Sequence, residues 1–464
     1  MKELWRLDAV AQAELVQSGV ISALELLEET IARIEALEPR LHAIESLDIE
    51  GARLRARHPP QGVLGGVPFL IKDLLPYPGL PCRMGSRLFR HNLSAQGSPY
   101  SACLDAAGLI PLGKTTTSEF GLLGSTETLL SGVTRNPWNL ALSATGSSGG
   151  SVVAVASGMI PIAHASDGGG SIRIPSSACG LFGLKPSRGR CASTGQAVVY
   201  DMLVEHCVSR SVRDSALFLS LTEVDNPALG PKLGYVQESI ERPLRIAYYS
   251  ETLMGQNPTP VVAQALEHTI TLCRSLGHEL QPVAAPKIDG QVISDSFFAI
   301  AGFGLTQLAR MMTPLLGRAP GPQELEPFTL ELIDWFATLP EEVVPNAITA
   351  LDAAGQSMRN FLAAYDVVLC PTMPIPPPAL ATLAPTLGRE RLVKETEQLA
   401  GYTPIYSIAG VPAMSVPLYV SDEDAPIGSH FGASLGQERV LLGLAYQLER
   451  ASGWADRWPP SVST

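Results

Sequence analysis

Two short turns built from glycine and serine constrain this chain most: Gly146-Ser147-Ser148-Gly149-Gly150-Ser151 and Asp167-Gly168-Gly169-Gly170-Ser171. The apolar stretch between them holds one short helix, over residues 152–156, and one strand, over 160–165, that runs into the second turn. Upstream, Val67-Pro68-Phe69-Leu70-Ile71 is a continuous apolar run of strand length, opened by Gly65-Gly66 and left through Lys72-Asp73. Residues 101–107 read as a further helix and 109–112 as a strand. Strands alternating with helices predict a layered α/β core around a sheet.

The remaining elements are read from the same signals. Ser22-Ala23-Leu24-Glu25 has the form of a capping box, and Leu24, Leu27, Ile31 and Ile34 then recur at helical spacing. Pro39 is expected to end that helix. Residues 261–276 form a helical pattern closed by Gly277, 366–370 a buried strand, and 440–450 an amphipathic closing helix. Residues from about 280 to 360 alternate helical stretches with loops, and the proline-rich 371–378 reads as a rigid loop after a strand. No internal repeat and no linker divides the 464 residues, so a single domain is expected.

Composition narrows the partners. The net charge of -12 argues against a surface for nucleic acid or anionic membrane. The opening segment Met1-Lys2-Glu3-Leu4-Trp5-Arg6 is charged and has no apolar h-region. No uncharged apolar run reaches the ~18–20 residues of a membrane span; the longest, residues 151–166, is broken by Gly158, Pro161 and His164. Seven cysteines, an odd count with no CxxC pair, point to a reduced, cytoplasmic setting. The eight histidines show no HxxxH or HExxH spacing, so no metal site is expected.

The turns are suited to covalent chemistry. A serine hydroxyl such as that of Ser171 needs a base before it can attack a carbonyl. Three preceding glycines leave the backbone N–H groups unshielded and free to converge on an oxyanion. Ser147 and Ser148 precede a helix, where one can cap while the other faces a site. Lys72, leaving an apolar strand, is placed to be desolvated, and burial lowers a lysine pKa toward the range of a useful base.

These residues together resemble the amidase signature family. The resemblance runs through Gly65–Asp73, Gly146–Ser151 and Asp167–Pro175, with Ser171 lying 24 residues after Ser147 and 99 after Lys72. It continues through Cys179–Pro186, Asp366–Thr372 and Gly410–Ala413, so it spans the chain, least clearly over 225–360. It implies a mixed central sheet of about eleven strands covered by helices on both faces. The signature core would occupy about 60–220, a variable pocket region about 225–360, and a C-terminal return to the core about 361–464. Ser171 would carry an acyl group, and Ser147, in a cis peptide after Gly146, would relay a proton to Lys72. Backbone N–H groups of Gly168, Gly169, Gly170 and Ser171 would bind the oxyanion, with Ser148, Asp167 and Arg173 in support. No cofactor is implied, and the substrate would be a small-molecule amide, carbamate or ester acted on by a monomer or homodimer. Ala144-Thr145 departs from a common Pro-Gly pair, and Gly168 stands where threonine or isoleucine is frequent. Ile427-Gly428-Ser429-His430-Phe431 and Trp458-Pro459-Pro460 resemble the branch of nylon-oligomer hydrolases, aryl acylamidases and urethane-cleaving amidases.

Three other readings stand beside this one. The A subunit of a tRNA-dependent amidotransferase shares the triad, although Ile174 replaces its common glutamine. A binding module that has lost catalysis would retain the scaffold. Finally, Gly108-Leu109-Ile110-Pro111-Leu112-Gly113-Lys114-Thr115 satisfies the P-loop pattern for nucleotides, with a spacer that itself reads as a strand.

Overall fold

The computed structural model describes residues 3–195 and 198–462. Met1 and Lys2 of the charged opening segment lie outside the described residues. Thirteen strands are found among them. The first six are β1 (Ile44–Leu47), β2 (Pro68–Lys72), β3 (Ile110–Thr115), β4 (Glu127–Thr128), β5 (Gly132–Val133) and β6 (Ile162–Asp167). Then come β7 (Phe182–Lys185), β8 (Val204–Ser209), β9 (Arg245–Tyr248), β10 (Glu279–Pro282), β11 (Val367–Pro371), β12 (Ala413–Val420) and β13 (Pro426–Gly432).

Eleven of them form one sheet in the order β1-β3-β2-β6-β8-β7-β12-β13-β11-β9-β10, while β4 and β5 pair separately. The sheet is mixed. β2 runs parallel to both β3 and β6, and β9 parallel to β10 and β11, with antiparallel pairing elsewhere.

Side-chain alternation shows that both faces are covered. On β2, Leu70 joins the apolar cluster of the helices Ala23–Leu41 and Gly149–Ala156, whereas Phe69 and Ile71 join the cluster of Pro99–Ala106 and Val212–Thr222. Phe69 stacks on Phe218 with ring centroids 5.7 Å apart. At the other end, Val367 and Leu369 of β11 face one cluster and Val368 and Cys370 the opposite one. Burying one such side chain contributes about 1.5–3 kcal/mol.

One expectation is corrected. Ser22 and Glu25 do form the capping box, but the helix Ala23–Leu41 runs through Pro39. The proline lies in the last turn, where it removes one bond near the end of the ladder, and the helix closes at His42, whose N–H donates to the Glu38 carbonyl at 3.0 Å. The P-loop pattern is not a loop: residues 110–115 are β3, fully buried between β1 and β2, and Lys114 donates to the Leu75 carbonyl. A phosphate has no exposed N–H cradle there. The helix Gly290–Leu316, which carries Asp295 and Arg310, is long and apolar enough to cross a membrane by length and composition alone. It packs on the helices Val343–Leu362 and Pro327–Phe336, and its inner face lines the cavity described next.

Candidate active site

Parallel strands send their C-terminal ends to one edge of the sheet. β2 and β6 are parallel neighbours, so Lys72 and Asp167, the last residue of each, arrive at the same edge. The helix Gly149–Ala156 brings the preceding Gly146-Ser147-Ser148 turn to that edge. Its approach is close: a Cβ on Gly150 would lie 2.5 Å from the Thr116 nitrogen and 2.6 Å from the Ala43 oxygen. The Gly146–Ser147 peptide is cis.

Lys72 is fully buried. Its Nζ lies 2.8 Å from Ser147 Oγ, 2.9 Å from Ser148 Oγ and 3.1 Å from Ser166 Oγ. Burial pushes the amine down to about 7, against the opposing pull of Glu205 and Asp167. Ser148 occupies the N-cap position of the helix, yet neither serine caps it, because both hydroxyls are turned to the amine. Ser148 Oγ also lies 3.2 Å from the Ser166 carbonyl, to which it donates.

Asp167 organises the second turn. Its carboxylate accepts from the N–H groups of Gly170 at 2.7 Å and Ile172 at 3.1 Å. Arg173, the first residue of the helix Arg173–Cys179, grips the same carboxylate through Nε at 2.9 Å and Nη2 at 2.8 Å. Both side chains are wholly buried. Burial alone would raise the carboxyl pKa, but the Arg173 guanidinium overrides it and holds Asp167 well below the usual carboxylate range. The other Arg173 hydrogens reach the Thr403 carbonyl at 3.0 Å, Ser407 Oγ at 2.9 Å and His430 Nε2 at 2.9 Å, so all five donors are used. Arginine cannot accept, so His430 Nε2 does, which puts the imidazole proton on Nδ1, 3.6 Å from Cys370 Sγ.

Glycine is required by conformation at Gly170, where φ is +136° and a Cβ would lie 2.3 Å from Thr403 Oγ1. A Cβ on Gly168 would meet nothing closer than 3.6 Å, which accommodates the larger residues frequent at that position. The expected oxyanion donors differ in availability. Gly170 N–H is already committed to Asp167, which removes it from the set of free donors. The N–H groups of Gly168, Gly169 and Ser171 have no acceptor among the described residues. Thr403 Oγ1 donates to the Gly169 carbonyl at 2.7 Å and fixes the orientation of that peptide.

Ser171 and Ser147 line one cavity of about 460 Å³, together with Gly168, Gly169 and Gly170. The Ser171 hydroxyl makes no hydrogen bond among the described residues, so the structure joins Lys72 to Ser147 and leaves the Ser147–Ser171 link open. Leu253, Ile293, Phe297 and Ile300 bring the expected pocket region into the wall. Phe120 and Met202 show that the expected signature core also contributes apolar wall.

Ser166, Glu205, Thr403, Ser407 and His430 are site residues that the sequence reading missed. His164 and Ser166 recur with period two in a strand otherwise apolar before Asp167, which was the available signal for Ser166. The other four come from distant elements; His430 stood in the Ile427–Phe431 motif without a role, and Glu205, Thr403 and Ser407 carry no local mark. Among the described residues, no three His, Cys, Asp or Glu side chains gather to hold a metal ion.

The profile of the family described as Amidase matches residues 25–442. A Mycobacterium leprae protein provisionally named amidase AmiC is 35% identical over 97% of this chain and 96% of its own. The 6-aminohexanoate-cyclic-dimer hydrolase of Paenarthrobacter ureafaciens is 32% identical, covering 98% of this chain and 97% of its own. The solved structure of a 6-aminohexanoate cyclic dimer hydrolase complexed with substrate superposes with a TM-score of 0.91 at 30% identity, over 99% of this chain and 100% of that one.

Proposed function

Because this chain belongs to the amidase family, hydrolases of carbon–nitrogen bonds other than peptide bonds, we propose that it cleaves small-molecule amides through an acyl-enzyme on Ser171, with Ser147 and Lys72 moving the proton. The observation that carries this reading is a buried amine with a pKa near 7, held 2.8 Å from a serine that lines the same cavity as Ser171. Proton inventory adds support. Ser148 spends its hydrogen on the Ser166 carbonyl, so its oxygen accepts from Lys72, as does Ser166 Oγ. Those two contacts take both hydrogens of a neutral amine and leave its lone pair for the Ser147 hydroxyl.

In the proposed reaction the Ser171 oxygen forms a bond to the carbonyl carbon. Its proton passes to Ser147 as the Ser147 proton passes to Lys72. The N–H groups of Gly168, Gly169 and Ser171 receive the oxyanion, each worth about 3–4 kcal/mol in the transition state. The carbon–nitrogen bond then breaks and the leaving amine takes the proton back from Lys72 through Ser147. Water then attacks the ester, its proton passing through Ser147 to Lys72, and the bond to the Ser171 oxygen breaks as that proton returns to Ser171 and the acid leaves. The scheme needs the unpartnered Ser171 hydroxyl to reach Ser147; catalytic hydrogen bonds commonly close only once a ligand is seated.

The likeness to the cyclic-dimer hydrolase puts cyclic and linear aliphatic amides first among substrates to test, followed by anilides and carbamates. Free glutamine belongs in the panel as the amidotransferase arm, against which stands Ile174 in the cavity wall. The deciding experiment is labelling with a fluorophosphonate. Wild-type protein is expected to gain one adduct in intact mass spectra and Ser171→Ala none; an adduct retained by the variant moves the nucleophile elsewhere. Turnover is expected to survive EDTA, and its loss, restored by added metal, would count against the scheme.

A further inference from the structure

The cavity is apolar over most of its wall, and its charged lining residues are both acidic: Glu205 and Glu397. No lysine or arginine lines it among the described residues, since Lys72 lies behind Ser147 and Ser166. Glu205 accepts a hydrogen bond from His164 Nε2 at 2.8 Å. Burial pushes the His164 imidazolium down, against the pull of Glu205 itself. Glu397 lies on the helix Arg389–Leu399, facing the helix Gly290–Leu316. Its Oε1 accepts from Ser294 Oγ at 2.6 Å and from Gln291 Nε2 at 3.4 Å, while Oε2 has no partner among the described residues. These two donors fix the carboxylate without neutralising it.

We propose that this cavity selects amides carrying a protonated amine at the end remote from the scissile bond, read by Glu397, and turns away those ending in a carboxylate. The inference rests on the amide-hydrolase reading and adds the substrate's charge to it. A carboxylate entering here is stripped of water among apolar side chains and meets acidic groups with no cation to receive it. An ammonium group finds an acceptor with an open oxygen and no competing cation. An uncharged end is accepted without either effect. The structural alternative is that Glu397 only ties two helices together. Glu397→Gln separates the two roles, because a glutamine oxygen keeps the hydrogen bonds from Ser294 and Gln291 and drops the charge.

The test is a set of straight-chain anilides of equal length ending in an ammonium, a methyl or a carboxylate group, with a second set carrying the same ends on the amine side. In at least one set kcat/KM is expected to fall by about tenfold from ammonium to methyl and by more again to carboxylate, the scale of one partly buried charge pair. Glu397→Gln is expected to reduce the ammonium-to-methyl ratio by at least fivefold. Equal or better cleavage of the carboxylate ends in both sets overturns the proposal, as does an ammonium preference that the variant keeps. No turnover of the methyl-ended amides, with no fluorophosphonate adduct, instead removes the amide-hydrolase reading and this proposal with it.

Discussion

In the proposed mechanism Lys72 accepts a proton only while its amine is uncharged. Burial brings its pKa from 10.5 to about 7, so the protonated, inactive form accumulates as pH falls below that value. The rate constant kcat/KM is therefore expected to drop about tenfold per unit below pH 7 and to level off above pH 8. A midpoint near 10 in a pH–rate profile would mean that the amine is solvated. Lys72→Ala is expected to lose ~10²–10⁴ in kcat/KM and to flatten this limb. Beside the site, Thr145 has φ +58°, the left-handed region that β-branched residues rarely enter. This accounts for the glycine common at that position, which Thr145 replaces. Thr145→Gly is expected to stabilise the protein by about 1 kcal/mol, measured by urea denaturation; a loss of stability would show that its hydroxyl, on the Ala144 carbonyl at 2.7 Å, outweighs the strain.

At the scale of elements, the junction between β6 and the helix Arg173–Cys179 depends on one buried ion pair. Arg173→Met leaves the Asp167 carboxylate buried without its partner, which costs about 3–5 kcal/mol. A denaturation midpoint within error of wild type would show that the turn is held by backbone contacts instead. Elements buried on both faces were the legible ones. β2, β6 and β11 are apolar runs with sharp ends, and the helix Gly149–Ala156 follows a glycine turn. The edge strands β1, Ile-Glu-Ser-Leu, and β10, Glu-Leu-Gln-Pro, are largely exposed or half-buried and too short to show a period. The 27-residue helix Gly290–Leu316 lies in the stretch that the sequence reading resolved only as helical segments and loops. Of the site, Lys72, Ser147, Asp167 and Ser171 were legible because glycine turns and strand ends mark them. The roles of Glu205 and His430 were not, because a polar residue in a buried strand gives no local sign of which distant group it touches.

Across the whole molecule, distant stretches of chain are interleaved. β7 pairs with β12, more than two hundred residues later, and the last long helix, Glu438–Ser452, packs on Val212–Thr222. One apolar cluster joins residues 23–208 to residues 298–399. We therefore propose one folding unit rather than separable core and pocket regions. Calorimetry is expected to show a single transition with matching calorimetric and van't Hoff enthalpies; two resolved transitions would divide the chain. The reacting groups sit on strand ends and the turns that follow them, whereas Ile293, Phe297 and Glu397 stand on helices laid over that edge. A lineage can thus exchange one diet for another by altering a few positions on those helices, because the step that breaks the bond is anchored in a different part of the architecture.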